Sequence, residues 1–492
     1  MSISRTDTKN IFLFLGIFFG LELASLAGFF WPVISQPLFF IVAIAALLLS
    51  LFKLEYGLMF VAAELVIGSK GYLLYLPLGD DGRLLSIRIV VWSLFMTVFV
   101  IRFIWQIIRN KQQAEYWQRL KVFIFWKPFL FLAGAVILGI LSGLVYRNSV
   151  SNLFLDFNAW LYFLLLIPFA ALNWSRRRLI QIFLAGAIWI SLKTLLLLSV
   201  FAHEASFAPQ IYSWLRRTLV GEMTALGGWN RVFIQSQIFS VIAYFACLLH
   251  FKDIRKLKEL KWRDNLVYLF LLGLFFSTII ISLSRSFWVG FALTLAAILA
   301  FIVWRYSWRQ AFRVAGLFFG SVVIGIAMIF LVIPFSAPAQ LEEQLADRVS
   351  NSGEAAVISR WALLPAIMEE VKQNPITGQG FGATVTYISQ DPRVLENEAT
   401  GRYTTYAFEW GYLDIWLKLG LVGLAAYFWL LWRLLSASYR LSRKNGEQLY
   451  LALAAGLIFL AATHIFTPYL NHPLGIGFII AASCLISRDR VY

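Results

Sequence analysis

The sequence predicts an all-α integral membrane protein, a polytopic bundle of about 14 transmembrane helices carrying a large helical loop on one side. Three observations predict it. Hydrophobic residues make up 60% of the chain and the mean hydropathy is +0.75, whereas soluble domains are roughly 45–50% apolar. The apolar residues gather into runs long enough to cross a hydrocarbon core, and in lipid a backbone must satisfy its own hydrogen bonds, so the runs read as α-helices. The third is aromatic content: 45 Phe, 19 Trp and 19 Tyr suit helices that face acyl chains and end among headgroups.

The first run, 11–31, follows only Arg5 and Lys9 and has no small-x-small cleavage site before Trp31-Pro32, so it reads as an uncleaved first helix rather than a secretory signal. Runs at 35–52 and 54–69 follow on either side of Lys53, and 86–108 completes the first group. The basic stretch 109–127 leads to 128–145 and 153–172, and Arg176-Arg177-Arg178 opens 179–201. The second half gives 232–250, 265–283, 287–303, 314–333, 410–432, 449–467 and 473–487. No internal repeat or low-complexity linker interrupts them, and residues 1–492 read as a single polytopic domain. Cys247 and Cys484 both fall inside apolar runs, which leaves neither a disulfide framework nor a zinc pattern.

The formal net charge of +16 invites a nucleic-acid reading, but its placement argues otherwise. With the N-terminus inside, most of the 42 basic residues fall on one side of the membrane, in the N-terminal tail, 109–127, 176–178, 251–264, 305–313, 433–444 and the C-terminal tail. By the positive-inside rule that side is cytoplasmic and holds both termini. The charge is an orientation signal, and no nucleic-acid partner is expected.

Two sizeable loops face outward. Residues 202–231 carry His203, Glu204, Arg216, Arg217, Glu222 and Arg231. Residues 334–408 form the larger one: a polar stretch from Glu342 to Asp347, a turn at Asn351-Ser352-Gly353, then Val357, Trp361, Leu364, Met368 and Val371 at helical spacing. Asn374-Pro375 stops that helix, and Gly378, Gly380 and Gly382 follow in a permissive loop. A loop of this length and patterning is expected to act as a lid.

The outward charges are mostly arginine: Arg216, Arg217, Arg231, Arg285, Arg348, Arg360, Arg393 and Arg402, with Lys372 the main lysine. A guanidinium grips phosphate bidentately and stays charged, so the pattern points to a phosphorylated ligand. Ordinary loop salt bridges with Glu342, Glu343, Asp347, Glu369, Glu370, Asp391, Glu396 and Glu398 are the plainer account of any one of them. Arg285 differs. It sits between two runs that barely span, with no acid within five residues on either side. An uncompensated charge there costs ~2–3 kcal/mol or more, so either another helix supplies a carboxylate or an anionic ligand does.

Ser284-Arg285-Ser286 with Gly290, Arg360-Trp361, the segment Asn374-Pro375-Ile376-Thr377-Gly378-Gln379-Gly380-Phe381-Gly382, and Gly411-Tyr412-Leu413 leading to Leu419-Gly420-Leu421-Val422-Gly423-Leu424 occur in an order that resembles the O-antigen ligase and polymerase superfamily. The resemblance covers about 215–435. It implies a metal-independent, cofactor-free glycosyltransferase of the bacterial inner membrane with a periplasmic active site. Its donor would be an undecaprenyl-diphosphate-linked glycan, set among membrane lipid, and a chain-length regulator or a flippase would be its protein partners. By the resemblance Arg217, which opens Arg217-Thr218-Leu219-Val220-Gly221, and Arg285 clamp the diphosphate, with Arg231 and Arg360 in support. Where ligases present a His-Asn pair, this chain has Glu409-Trp410, which favours a polymerase with Glu409 as base; a ligase acting on a lipid A core is the alternative.

The chemistry needs few groups. A lipid diphosphate leaves readily once guanidinium groups neutralise its developing charge, and a base near the acceptor hydroxyl completes the step. Glu409 is the candidate because a carboxylate beside Trp410 under an apolar lid should be desolvated, although an acid at a helix start also suits the helix dipole. Glu222 and His203 are the fallback bases. Asp414 and Lys418, four apart, are expected to satisfy each other, and Lys193, Asp156 and Arg102 to pair between helices or snorkel. His464 and His472 are expected to cap or to lie at the interface. A transporter or lipid flippase is the rival class, but it would show matching halves with broken midplane helices, which this sequence lacks.

Overall fold

The computed structural model describes residues 5–79, 83–109, 115–226, 229–250, 262–334, 355–445 and 448–489. The elements begin with α1 (Arg5–Phe30), α2 (Pro32–Phe52), α3 (Leu54–Ile67), β1 (Tyr75–Leu78), β2 (Arg83–Ser86), α4 (Ile87–Arg109) and α5 (Glu115–Lys121). Next come α6 (Trp126–Val145), α7 (Val150–Phe157), a 3-10 segment (Asn158–Leu165), α8 (Leu166–Ala171), α9 (Arg176–Ala202) and α10 (Ala208–Arg217). They continue with β3 (Glu222–Leu226), β4 (Trp229–Phe233), α11 (Gln237–His250), α12 (Trp262–Ser282), α13 (Arg285–Arg305) and α14 (Trp308–Val332). The last are α15 (Ala355–Gln373), β5 (Val385–Ile388), α16 (Pro392–Leu395), β6 (Arg402–Thr405), α17 (Gly411–Asn445), α18 (Gln448–Thr463) and α19 (Pro473–Arg488).

This is an all-α membrane protein with three small antiparallel hairpins, β1–β2, β3–β4 and β5–β6. The expected count of about 14 spans is corrected. Among the described residues nine helices are long and apolar enough to cross a membrane, and Gln237–His250, Leu266–Ser282, Gln448–Thr463 and Pro473–Arg488 are shorter. The sequence expected spans at all four, and also at α3, which has only 14 residues. At 1.5 Å per residue a 14-residue helix covers about 21 Å, against a hydrocarbon core of ~30 Å. Hydropathy alone does not separate a spanning helix from one that is apolar all round because protein encloses it. Most residues of α11, α18 and α19 are buried, so their apolar faces meet protein rather than lipid.

The chain divides into two compact units. The first comprises Met1–Lys121 and Ile167–Ala346, the second Val122–Leu166 and Asp347–Tyr492. In the first unit, charges inside the helical layer meet in pairs. Lys193 on α9 donates to Glu22 on α1 at 2.5 Å, and both are buried. Arg88 on α4 donates to both carboxylate oxygens of Glu64 on α3, at 3.0 and 2.8 Å, and to the Ser69 carbonyl at 2.7 Å. At one end of α9, Arg177 bridges Asp7, which also accepts from Gln181.

In the second unit α15 ends at Gln373, immediately before Asn374-Pro375, as the sequence requires. Its buried stripe is Leu363, Ile367 and Val371, packed with Ala383, Val385, Phe408 and Leu417. That stripe is out of phase with the expected one. Trp361 is 58% exposed, although its ring meets Trp410 at 5.4 Å. The difference arises because β5 and α17 together set which face is covered, and neither is visible to the helix's own periodicity. The expected polar stretch 342–347, the turn 351–353 and Arg348 lie outside the described residues, as does the side chain of Val357.

Candidate functional site

Part of the first unit is built around two tight chain reversals. Helix α12 stops at Ser282, and Ser284 is the N-cap of α13 with extended backbone. The turn places Leu283 at φ 43°, a left-handed conformation that costs a non-glycine residue roughly 1–2 kcal/mol. It is tied internally: Ser284 N–H donates to Ser282 Oγ at 3.3 Å, and the Ser284 and Ser286 hydroxyls meet at 3.0 Å. Arg285 opens α13 half-buried.

Hairpin β3–β4 docks on this turn. Arg231 Nε donates to the Ser282 carbonyl at 2.9 Å, and the guanidinium lies 5.0 Å from the Phe233 ring centroid. Phe233 in turn meets Phe287 with ring centroids 5.7 Å apart. The strand thus brings Arg231 to the carbonyl of Ser282, three residues before Arg285.

Arg217 stands apart from these contacts. It is the last residue of α10 and exposed, and its side chain forms no hydrogen bond or ion pair with the described residues. Helix α10 is held by Ile211, Trp214 and Leu215; Trp214 Nε1 donates to Ser25 Oγ at 3.0 Å, and Thr218 Oγ1 closes the end on the Trp214 carbonyl at 2.7 Å. Leu219 then takes φ 51°, a second strained reversal. It is the neighbour, Arg216, that lines two hollows. One, about 720 Å³, is walled by Phe201, Glu204, Tyr212 and Thr224. The other is small and holds Arg216 with Lys70, Glu222 and Gln235. Lys70, which follows α3, was missed by the sequence reading. Of the fallback bases, Glu222 stands 4.0 Å from Lys70, and His203 is exposed on the Ser199 carbonyl.

In the second unit Glu409 and Arg360 meet each other. Arg360 Nε pairs with Glu409 Oε2, and both side chains are about half exposed. The expectation of an apolar cover over Glu409 is therefore corrected: Trp410 turns away, donating Nε1 to the Arg360 carbonyl at 2.9 Å and packing on Phe466. Trp410 also accepts the Asp414 N–H and so begins α17.

The glycine loop takes a form that the sequence did not anticipate. Helix α17 is broken at Gly420, whose φ is 66° and ψ −170°. A break there frees the N–H groups of Leu421 and Val422 and the carbonyls of Leu417 and Lys418. Those four groups find partners in the loop: Leu421 and Val422 donate to Pro375 and Ile376, at 2.9 and 3.2 Å, while Gln379 and Gly380 donate to Leu417 and Lys418, at 2.7 and 3.1 Å. The loop completes the hydrogen-bond ladder of the interrupted helix, which a hydrocarbon environment demands.

Its other edge is fixed on α6 and the segment after it. Phe381 N–H donates to the Gly139 carbonyl at 3.0 Å, and Asn148 Nδ2 reaches the carbonyls of Gln379 and Phe381 at 3.0 and 2.9 Å. Gly378, Gly380 and Gly382 all have positive φ, and a Cβ on Gly380 would collide with the backbone of Gly143. All three are buried. The glycines expected in a lid loop thus form a pinned insert in this structure, where backbone meets backbone.

Beneath the insert lies a buried polar network. Lys418 bridges Asp156 at 2.5 Å and also pairs with Asp414. Asp156 accepts from Gly382 N–H at 2.9 Å, and Asn471 donates to Asp414 at 2.6 Å. The expected Asp414–Lys418 pair is present, and Asp156, expected only to find some partner, joins it from α7. His464 and His472 act as caps, accepting from Leu470 N–H at 3.1 Å and Leu474 N–H at 3.3 Å.

No curated protein matches the chain. Residues 269–428, which run from α12 through the Ser-Arg-Ser turn and the glycine insert to beyond the break in α17, match the family model described as O-antigen ligase. This match, over about a third of the chain, supports the O-antigen ligase and polymerase superfamily for that segment.

Proposed function

We propose that the protein is a membrane glycosyltransferase that polymerises undecaprenyl-diphosphate-linked oligosaccharide units on the periplasmic face of the bacterial inner membrane. The observation that carries this reading is the docking of β4 on the α12–α13 turn, with Arg231 Nε on the Ser282 carbonyl at 2.9 Å. It puts Arg231 beside the turn that Arg285 opens, on a superfamily motif, where two guanidinium groups suit the two phosphoryls of a carrier lipid.

In the proposed step an acceptor sugar hydroxyl attacks the anomeric carbon of the donor. The new glycosidic C–O bond forms as the bond to the diphosphate breaks, and its electron pair leaves with the carrier. Arg231, Arg285, Arg216 and Arg217 are the groups proposed to hold that developing charge, a role that needs no metal. The hydroxyl proton passes to a base; Glu409, the candidate expected from sequence, pairs with Arg360 in the second unit. Glu409-Trp410 standing where ligases carry His-Asn favours the polymerase over transfer to a lipid A core.

Reconstitution with a lipid-linked repeat unit tests the proposal. A ladder of products is expected. One transfer onto a lipid A core would make the protein a ligase. Absence of both products would retire the glycosyltransferase reading.

A further inference from the structure

The first unit contains a cavity that glycosyl transfer does not use. It has a volume of about 450 Å³ and lies among α1, α2, α3, α4 and α9, within the ~300–1,000 Å³ usual for ligand sites. Its walls are almost wholly apolar, with Phe14, Phe18, Met59 and Ala63 among them. Along α3 it runs from Tyr56 to Ile67, about 16 Å of helix at 1.5 Å per residue. Near one end Glu64 is closed off by its bridges to Arg88.

The other end is cationic. Tyr56, Met59 and Arg178 line both this cavity and a polar hollow of about 350 Å³ that adds Lys53, Glu55, Asn173 and Ser175. Lys53 and Arg178 both lie over the Tyr56 ring, at 5.6 and 5.1 Å. Lys53 is paired with Glu55 at 2.9 Å, whereas the Arg178 guanidinium has no carboxylate partner among the described residues. Ser175 caps the 27-residue α9 here, so the positive end of that helix faces the same hollow. This is the face that the positive-inside rule assigns to the cytoplasm, opposite the proposed transfer site.

We propose that this cavity holds one anionic glycerophospholipid of the cytoplasmic leaflet, with an acyl chain between α1 and α3 and its phosphodiester at Arg178 and Lys53. The charge count selects this occupant. Lys53, Arg178 and Glu55 sum to one positive charge, which matches the single negative charge of a phosphodiester such as phosphatidylglycerol. A diphosphate would remain undercompensated, and a zwitterionic lipid would bring an ammonium group against two cations.

The test uses the full chain in detergent, stripped of lipid and supplied in turn with phosphatidylglycerol, phosphatidylethanolamine or undecaprenyl phosphate, read by native mass spectrometry and thermal melting. One phosphatidylglycerol should bind per chain, about fivefold more tightly than phosphatidylethanolamine, the scale of one basic residue at a membrane surface. Arg178→Gln should erase that preference, and Ala63→Phe, which fills the cavity, should abolish the bound lipid while the elution profile stays that of the folded protein. Ile17→Phe on the facing wall is the second filler if Ala63→Phe does not fold. Equal binding of the two phospholipids, stronger binding of undecaprenyl phosphate, or full retention of lipid by a folded filler variant would overturn the proposal.

Discussion

The two units handle buried charge in different ways. In the first, Lys193 has Glu22 and Arg88 has Glu64, one carboxylate to one cation. In the second, Lys418 alone stands between Asp156 and Asp414, with Asn471 holding the free side of Asp414 and Gly382 N–H holding Asp156. A pair can be removed whole, since taking out both ions leaves nothing uncompensated. The shared network is harder to remove, because Asp156 also holds the Gly382 N–H and Asp414 the Asn471 amide. The difference teaches that the first unit's pairs fasten helix to helix, while the second unit's network fastens the glycine insert and the broken helix together.

Removing the shared cation should cost most. Lys418→Met leaves two buried carboxylates facing each other and should destabilise the protein by about 3–5 kcal/mol, seen as a large drop in melting temperature in detergent. Asp156→Asn or Asp414→Asn should cost clearly less, because Lys418 keeps one carboxylate. Equal damage from all three would mean that the charges act separately. In the first unit Glu22→Leu strands Lys193 and should cost about 3 kcal/mol, while the double variant Glu22→Leu/Lys193→Leu should recover most of the loss. A double variant no better than the single would break the contrast between pair and network.

The insert gives a sharper test at lower cost. Gly380→Ala must place a methyl group against Gly143 at a backbone angle that disfavours it and should cost about 2 kcal/mol or more, measured by the same melt. The smallest effect is expected at the surface. Breaking the half-exposed Arg360–Glu409 pair with Glu409→Gln should alter stability by less than ~1 kcal/mol, yet lower the transfer rate about 10²–10⁴-fold if the carboxylate is the base. Unchanged turnover would remove Glu409 from the proposed chemistry.

Much of the architecture was legible in the sequence because hydropathy and the stop at Asn374-Pro375 are local signals. The lengths of the helices were not, since α11, α18 and α19 have only 14 to 16 described residues and an apolar run does not announce where its helix stops. The three hairpins escaped notice because each lies in a short stretch between stronger helical signals. At the candidate site, Ser284-Arg285-Ser286 stood out because a charge between two barely spanning runs has few places to go. Arg231 was legible as an outward arginine, but its contact with Ser282 joins residues 51 apart and depends on how a hairpin folds back. The glycine insert shows the same limit: Gly378, Gly380 and Gly382 announced unusual backbone, and Gly420 lay within the quoted motif, yet nothing local says that one repairs the other.

The central claim is that Arg231 and Arg285 act on a diphosphate leaving group, beyond the contact that Arg231 makes with Ser282. Its most direct test is the rate of glycan transfer by Arg285→Gln and Arg231→Gln in vesicles, with melting temperature recorded on the same preparations. The account predicts a fall of about 10²–10³-fold in transfer for Arg285→Gln with near-native melting, and a comparable loss of transfer for Arg231→Gln with only the small drop in melting that losing its bond to Ser282 brings, about 1 kcal/mol. Native transfer rates in correctly folded variants would contradict it.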